Sequence, residues 1–69
     1  MLINVTPRIA DKLIKNGVRN TFHCGGIDTI EGVAVSRDGL RTIDIRYWDK
    51  SLNRFEIGRF DRRQVTVAI

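Results

Sequence analysis

The sequence predicts a mainly β domain: a short N-terminal helix followed by five short antiparallel strands that curl into a small open barrel. Three observations carry this. The segment from Thr6 to Gly17 has helical periodicity and legible helix ends. From Val18 onward apolar and polar residues alternate with period two. Turn signals then recur at short intervals to the C-terminus.

The helix spans about 7–16. Thr6 is a suitable N-cap, and Pro7 at the first helical position has no N–H to leave unsatisfied. Ile9, Ala10, Leu13 and Ile14 form the apolar stripe, and Gly17 can take the left-handed conformation that closes a helix. Asp11 and Lys15 are spaced for an i,i+4 ion pair. A helix this short does not persist alone and must dock on something.

The strands are expected at about 18–24, 30–36, 42–48, 53–60 and 64–69. Val18, Phe22 and Cys24 alternate with Arg19, Thr21 and His23, and Gly25-Gly26 turns the chain. The second strand carries Gly32, which marks a bend or a close backbone approach. Arg37-Asp38-Gly39 reads as a tight hairpin. In the third strand Ile43, Ile45 and Tyr47 alternate with Asp44, Arg46 and Trp48, so Tyr47 and Trp48 face opposite sides. Asp49-Lys50-Ser51 leads to the fourth strand, and Asp61-Arg62-Arg63 links it to the fifth. Such a run of short strands curls rather than lying flat. An OB-fold is disfavoured because no helix-sized segment separates the third and fourth strands.

With 69 residues the chain is a single domain, 1–69. A chain of this size buries only about 60% of its unfolded surface. One cysteine, Cys24, excludes an intramolecular disulfide, and Cys24 with His23 are too few soft ligands for a structural zinc site. No metal or cofactor is therefore expected, and self-association through unpaired strand edges is the expected source of the missing burial. No apolar run is long enough for a membrane span or a signal-peptide core. Together with the lone cysteine this suggests an intracellular, cytoplasmic protein.

Twelve Lys and Arg against eight Asp and Glu give a net charge of +4. Residues 37–63 carry eight basic residues against five acidic ones. A small basic surface favours polyanions. Nothing assembles an activated nucleophile with a base and an orienting group, so no catalytic residues are assigned and no enzyme is expected.

The order and length of these elements resemble the Sm/LSm family, including its Hfq-type branch. The likeness rests on Val18-Arg19-Asn20-Thr21-Phe22 leading to Gly25-Gly26, on Ile30-Glu31-Gly32, and on Asp38-Gly39-Leu40-Arg41-Thr42 followed by Ile43-Asp44-Ile45. It also rests on Phe60-Asp61-Arg62-Arg63 leading into Val65-Thr66-Val67. Leu40 stands where the family often has a base-stacking side chain, Thr42 where it has asparagine, and Arg63 where it has glycine. The resemblance implies a strongly bent sheet and a homo-oligomeric ring. Closure would pair the fourth strand of one protomer with the fifth of the next, with Phe55, Ile57, Val65 and Val67 at the interface. It further implies single-stranded RNA, or another nucleic acid, on a basic inner rim.

On this reading Leu40, Arg41, Thr42, Arg62 and Arg63 contact RNA. Arginine grips phosphate or lies flat on a base, threonine offers one hydrogen bond, and leucine offers an apolar contact. Arg8, Lys12 and Lys15 line one side of the helix as a second basic patch or as a solvated face. The alternatives are an SH3-like barrel that binds a protein through Tyr47, Trp48 and its open edges, and a purely structural ring.

Overall fold

A computed structural model describes residues 1–25 and 28–69 of the chain. Its elements are β1 (Leu2–Asn4), α1 (Pro7–Asn16), β2 (Asn20–Cys24), β3 (Asp28–Asp38), β4 (Thr42–Asp49), β5 (Arg54–Asp61) and β6 (Val65–Ala68), with a single 3-10 turn at Arg62–Gln64 before β6. The helix forms where its end signals put it. The Thr6 hydroxyl accepts the Ile9 N–H at 3.2 Å, Pro7 opens the first turn, and Gly17 closes it at φ 63° and ψ 23° with its N–H on the Leu13 carbonyl. Ala10 and Leu13 are buried, and Ile9 and Ile14 pack against them.

The strands join in one antiparallel sheet of order β1-β6-β2-β3-β4-β5. It is bent but does not close, leaving β1 and β5 as its two edges. The mainly β class is as expected, with one strand more. β1 is three residues with no periodicity, and only pairing with β6 makes it a strand: Leu2 opposite Ala68, Ile3 opposite Val67, Asn4 opposite Thr66. The first expected strand begins later, at Asn20. Val18 is exposed, and the Asn20 side-chain amide instead donates to its carbonyl. Gly26, the second residue of the expected Gly25-Gly26 turn, lies outside the described residues.

Two features of β3 bend the sheet. Its pairing with β4 shifts at Val35, between Ala34 and Ser36, as a β-bulge. At Gly32 a side chain would collide with the Arg46 carbonyl oxygen and come within 2.9 Å of a methyl of Ile45, so glycine lets β4 approach closely. The core gathers Val5, Ala10, Leu13, Phe22, Cys24, Ala34, Ile43, Ile45, Val65 and Val67, all buried, from the helix, β1–α1 junction and sheet.

β6 has a sheet neighbour on both sides, β1 on one and β2 on the other. Val65 and Val67 are 0% exposed within a single protomer. The strand pairing expected to close a ring needs a free edge here, and β1 takes that edge. This corrects the placement of Val65 and Val67 at a subunit interface: they are core. Phe55 and Ile57, on edge strand β5, are 56% and 63% exposed.

A methyl at residue 32 cannot be accommodated without moving backbone. Gly32→Ala should therefore lower stability by about 1–3 kcal/mol, read as a reduced denaturant midpoint with unchanged slope.

Candidate nucleic-acid interface

Hairpin geometry and one arginine assemble the expected RNA-contacting residues. Asp38 pairs with Thr42, leaving Gly39-Leu40-Arg41 as the loop between β3 and β4, with Gly39 at φ 60°. Each carbonyl of that loop is hydrogen-bonded. The Arg37 guanidinium donates to Gly39, the Arg62 side chain to Leu40 at 2.7 Å, and the Arg62 backbone N–H to Arg41 at 2.8 Å. The loop and the Arg62–Gln64 turn are thus brought together at one end of the sheet. Asp61 caps that turn by accepting the Arg63 N–H at 3.0 Å.

The basic side chains at this end divide into two kinds. Arg62 is used internally: besides Leu40 it donates to the Val5 carbonyl at 2.9 Å, where β1 runs into the helix. Arg59 is also committed, pairing with Asp44 at 2.9 Å and with Asp38 at 3.5 Å. Arg41 and Arg63 are exposed and have no carboxylate partner among the described residues. They line a shallow depression with Thr42, Arg59, Phe60 and Asp61. Leu40 is 63% exposed beside them, whereas Thr42 is half-buried and its hydroxyl reaches the Asp38 carbonyl only at 3.5 Å.

The helix row is unneutralised as well. The Asp11–Lys15 pair expected from sequence spacing is replaced by a two-point bond from Arg37 to Asp11, at 2.5 and 3.1 Å. Arginine's planar fork matches a carboxylate better than a lysine does. Arg8, Lys12 and Lys15 stay exposed without ionic partners among the described residues. The Arg37 bond holds the Asp11 carboxyl below its ordinary range.

A second surface, with less specific sequence signals, lies on the sheet face away from the core. Trp48 and Phe55 sit opposite each other on β4 and β5 with ring centroids 5.1 Å apart and edge to face, and the Arg46 guanidinium lies 4.5 Å over Phe55. Ile57 is opposite Arg46 on the same face. The alternation of β4 separates Trp48 from Tyr47 as expected, but the pairing of Trp48 with Phe55 depends on the β4–β5 register. Among the described residues no three His, Cys, Asp or Glu side chains gather as a metal site. Cys24 is buried, with its thiol pushed up chiefly by desolvation. Among the described residues the side chain hydrogen-bonded to the His23 ring is Thr29, through its hydroxyl at 3.3 Å. Among the described residues no helix is long and apolar enough to cross a membrane.

Asp44 is the one buried charged residue among the described residues, 8% exposed. Arg59 and the Ser36 hydroxyl, at 2.7 Å, hydrogen-bond its carboxylate, and these bonds hold its carboxyl below the usual value. A lowered native pKa stabilises the fold above the unfolded-state value and loses that contribution as pH falls through the native one. Asp44→Asn should therefore weaken the fold at pH 7 and give a shallower further loss on acidification, measured by urea melts across the acid range. Arg62→Ala removes two charge-assisted bonds to carbonyls. It should cost about 2 kcal/mol, a drop in Tm of roughly 8–16 °C for a domain of this size.

Comparison of the chain with protein-family models, with curated proteins and with solved structures finds no match.

Proposed function

We propose that the protein binds single-stranded RNA with low sequence specificity, through the end of the sheet where the Gly39–Arg41 loop meets the Arg62–Gln64 turn. The observation that carries this reading is the pair of arginines, Arg41 and Arg63, which line one depression and form no ion pair among the described residues, the nearby Asp61 carboxylate being used to cap the turn. A cation left exposed on a fixed backbone meets a phosphate with little further ordering cost. Leu40 adds an apolar surface for a base, and Thr42 a hydroxyl at the rim of the depression. The row Arg8, Lys12 and Lys15 supplies additional positive potential from the helix. The helix followed by a bent antiparallel sheet supports the likeness to Sm-type RNA-binding proteins, and the buried free Cys24 fits a reducing, intracellular compartment.

Two elements of the sequence-derived expectation change. Arg62 positions the site rather than contacting RNA, since its guanidinium is occupied by the Leu40 and Val5 carbonyls. Ring closure through β6 is not part of the proposal, because β6 has neighbours on both edges.

Fluorescence anisotropy with short U-rich and A-rich RNA over a range of salt tests the reading. Affinity should fall steeply with salt and differ little between the two sequences. The double variant Arg41→Ala/Arg63→Ala should reduce the slope of log K against log salt by about 1.4, two single-strand phosphate contacts at about 0.7 each, while keeping the wild-type Tm. Binding that ignores salt, or a double variant with an unchanged slope, would refute the assignment.

A further inference from the structure

We infer that the protein forms a two-fold symmetric dimer by pairing β5 with β5 of a second copy, centred on Ile57. The need for a partner follows from the edges. Of the two open edges, β1 is three residues long, and the Asn4 carbonyl is already bonded by the Thr6 N–H. Short edges protect themselves from pairing. β5 is eight residues long and presents Phe55 and Ile57 to solvent. Next to them Trp48 is 46% exposed, so the apolar surface continues across β4.

The backbone of β5 is ready to pair. The Arg62 N–H bonds the Arg41 carbonyl and continues the β4–β5 ladder beyond Asp61. Antiparallel alternation then turns the N–H and C=O groups of Arg54, Glu56, Gly58 and Phe60 toward β4, and those of Phe55, Ile57 and Arg59 outward. The charges on this edge do not repel a second strand, because Arg54 is paired with Glu56 at 2.6 Å and Arg59 with Asp44.

Symmetry and charge select the register. Two antiparallel edges related by a two-fold axis keep like faces together, so the axis passes through a single residue type. An axis at Glu56 would set two carboxylates opposite each other, and one at Arg59 two guanidiniums; like charges directly opposite are destabilising. An axis at Gly58 sets Ile57 against Arg59 and Phe55 against Asp61, with no apolar pair. An axis at Ile57 sets Ile57 against Ile57 of the partner subunit and Phe55 against Arg59 of the partner subunit. Glu56 then meets Gly58 rather than a second carboxylate, with the Phe60 and Tyr47 rings of that chain lying over the glycine. On the outer face this places a ring from each copy beside a guanidinium from the other, and the outward groups of residues 55, 57 and 59 exchange about six main-chain hydrogen bonds. An axis at Phe55 would oppose Arg54 and Glu56 favourably but overlaps only residues 54–56 of β5, whereas the axis at Ile57 overlaps residues 54–60. The occupant is therefore a second copy: the register that overlaps most of the strand without opposing like charges is also the one that buries the exposed isoleucine.

The dimer does not rest on the RNA reading, and its test contains no RNA. Light scattering coupled to size exclusion should give twice the 7.9 kDa chain mass. Ile57→Lys, at a surface position, should give a folded species of one chain mass, with folding checked by circular dichroism. Ile57→Cys should form a disulfide-linked dimer on mild oxidation, under conditions where the wild type, with Cys24 buried, does not. A wild type that stays at one chain mass at every soluble concentration overturns the proposal, as does an assembly larger than two chains. A folded Ile57→Lys variant that remains dimeric also overturns it. Should Ile57→Lys fail to fold, the Ile57→Cys cross-link decides: dimeric on oxidation supports the register, and absence of the cross-link overturns it.

Discussion

The grip of Arg62 on three separate segments is the constraint on which the rest of the fold depends. Its backbone N–H holds Arg41, and its guanidinium holds Leu40 and Val5. It therefore ties the β3–β4 loop, the end of β5 and the start of the helix to one point. An arginine suits this because its planar fork carries several donors in fixed directions, and because it remains charged at any physiological pH. Arg37 works in parallel from the other side, joining the same loop to Asp11 on the helix. With its three carbonyls bonded, the loop has little freedom left. Its side chains, Leu40 and Arg41, are turned outward on a fixed frame.

The same arrangement explains how a +4 chain uses its charge. Arginines 37, 59 and 62 are spent on carboxylates and carbonyls inside the protomer, whereas Arg41 and Arg63 are not. A count of basic residues treats all of these alike. Only the positions of Asp11, Asp44 and the loop carbonyls separate the arginines that shape the site from those available to a polyanion. Hydrogen bonding of the Asp44 carboxylate by Arg59 and Ser36 also offsets the desolvation of the one buried charged residue among those described.

A domain this small must find burial beyond a single helix and a sheet. Part of it comes from β1, which covers the outer edge of β6 and lets Val65 and Val67 sit fully inside the protomer. The cost of that arrangement falls on the other side of the sheet. β5 keeps an open edge with Phe55 and Ile57 exposed beside Trp48, which is why self-association is argued there and not at β6.

Much of the fold was legible in the chain. Thr6, Pro7 and Gly17 define the helix through local capping, and alternation in 42–48 separates Ile43 and Ile45 from Trp48 because pleating is a local property. Gly32 signalled its close approach for the same reason: a missing side chain is visible in the sequence. A hairpin near Gly39 and the arginine turn were both identifiable, as was the concentration of positive charge between residues 37 and 63, although β3 continues through Arg37 and Asp38 and the loop itself is Gly39-Leu40-Arg41 rather than Arg37-Asp38-Gly39. What local patterns do not encode is partnership. Three residues at the N-terminus become a strand only because β6 lies beside them. Asp11 chooses Arg37, 26 positions away, over the nearby Lys15. Arg62 differs from Arg63 only in that two carbonyls from distant segments converge on it. Sequence determined the helix, five of the six strands and where the basic residues are concentrated. Tertiary structure decided which edges are closed and which arginines are free, because hydrogen-bond partners are set by distances between segments that no periodicity records.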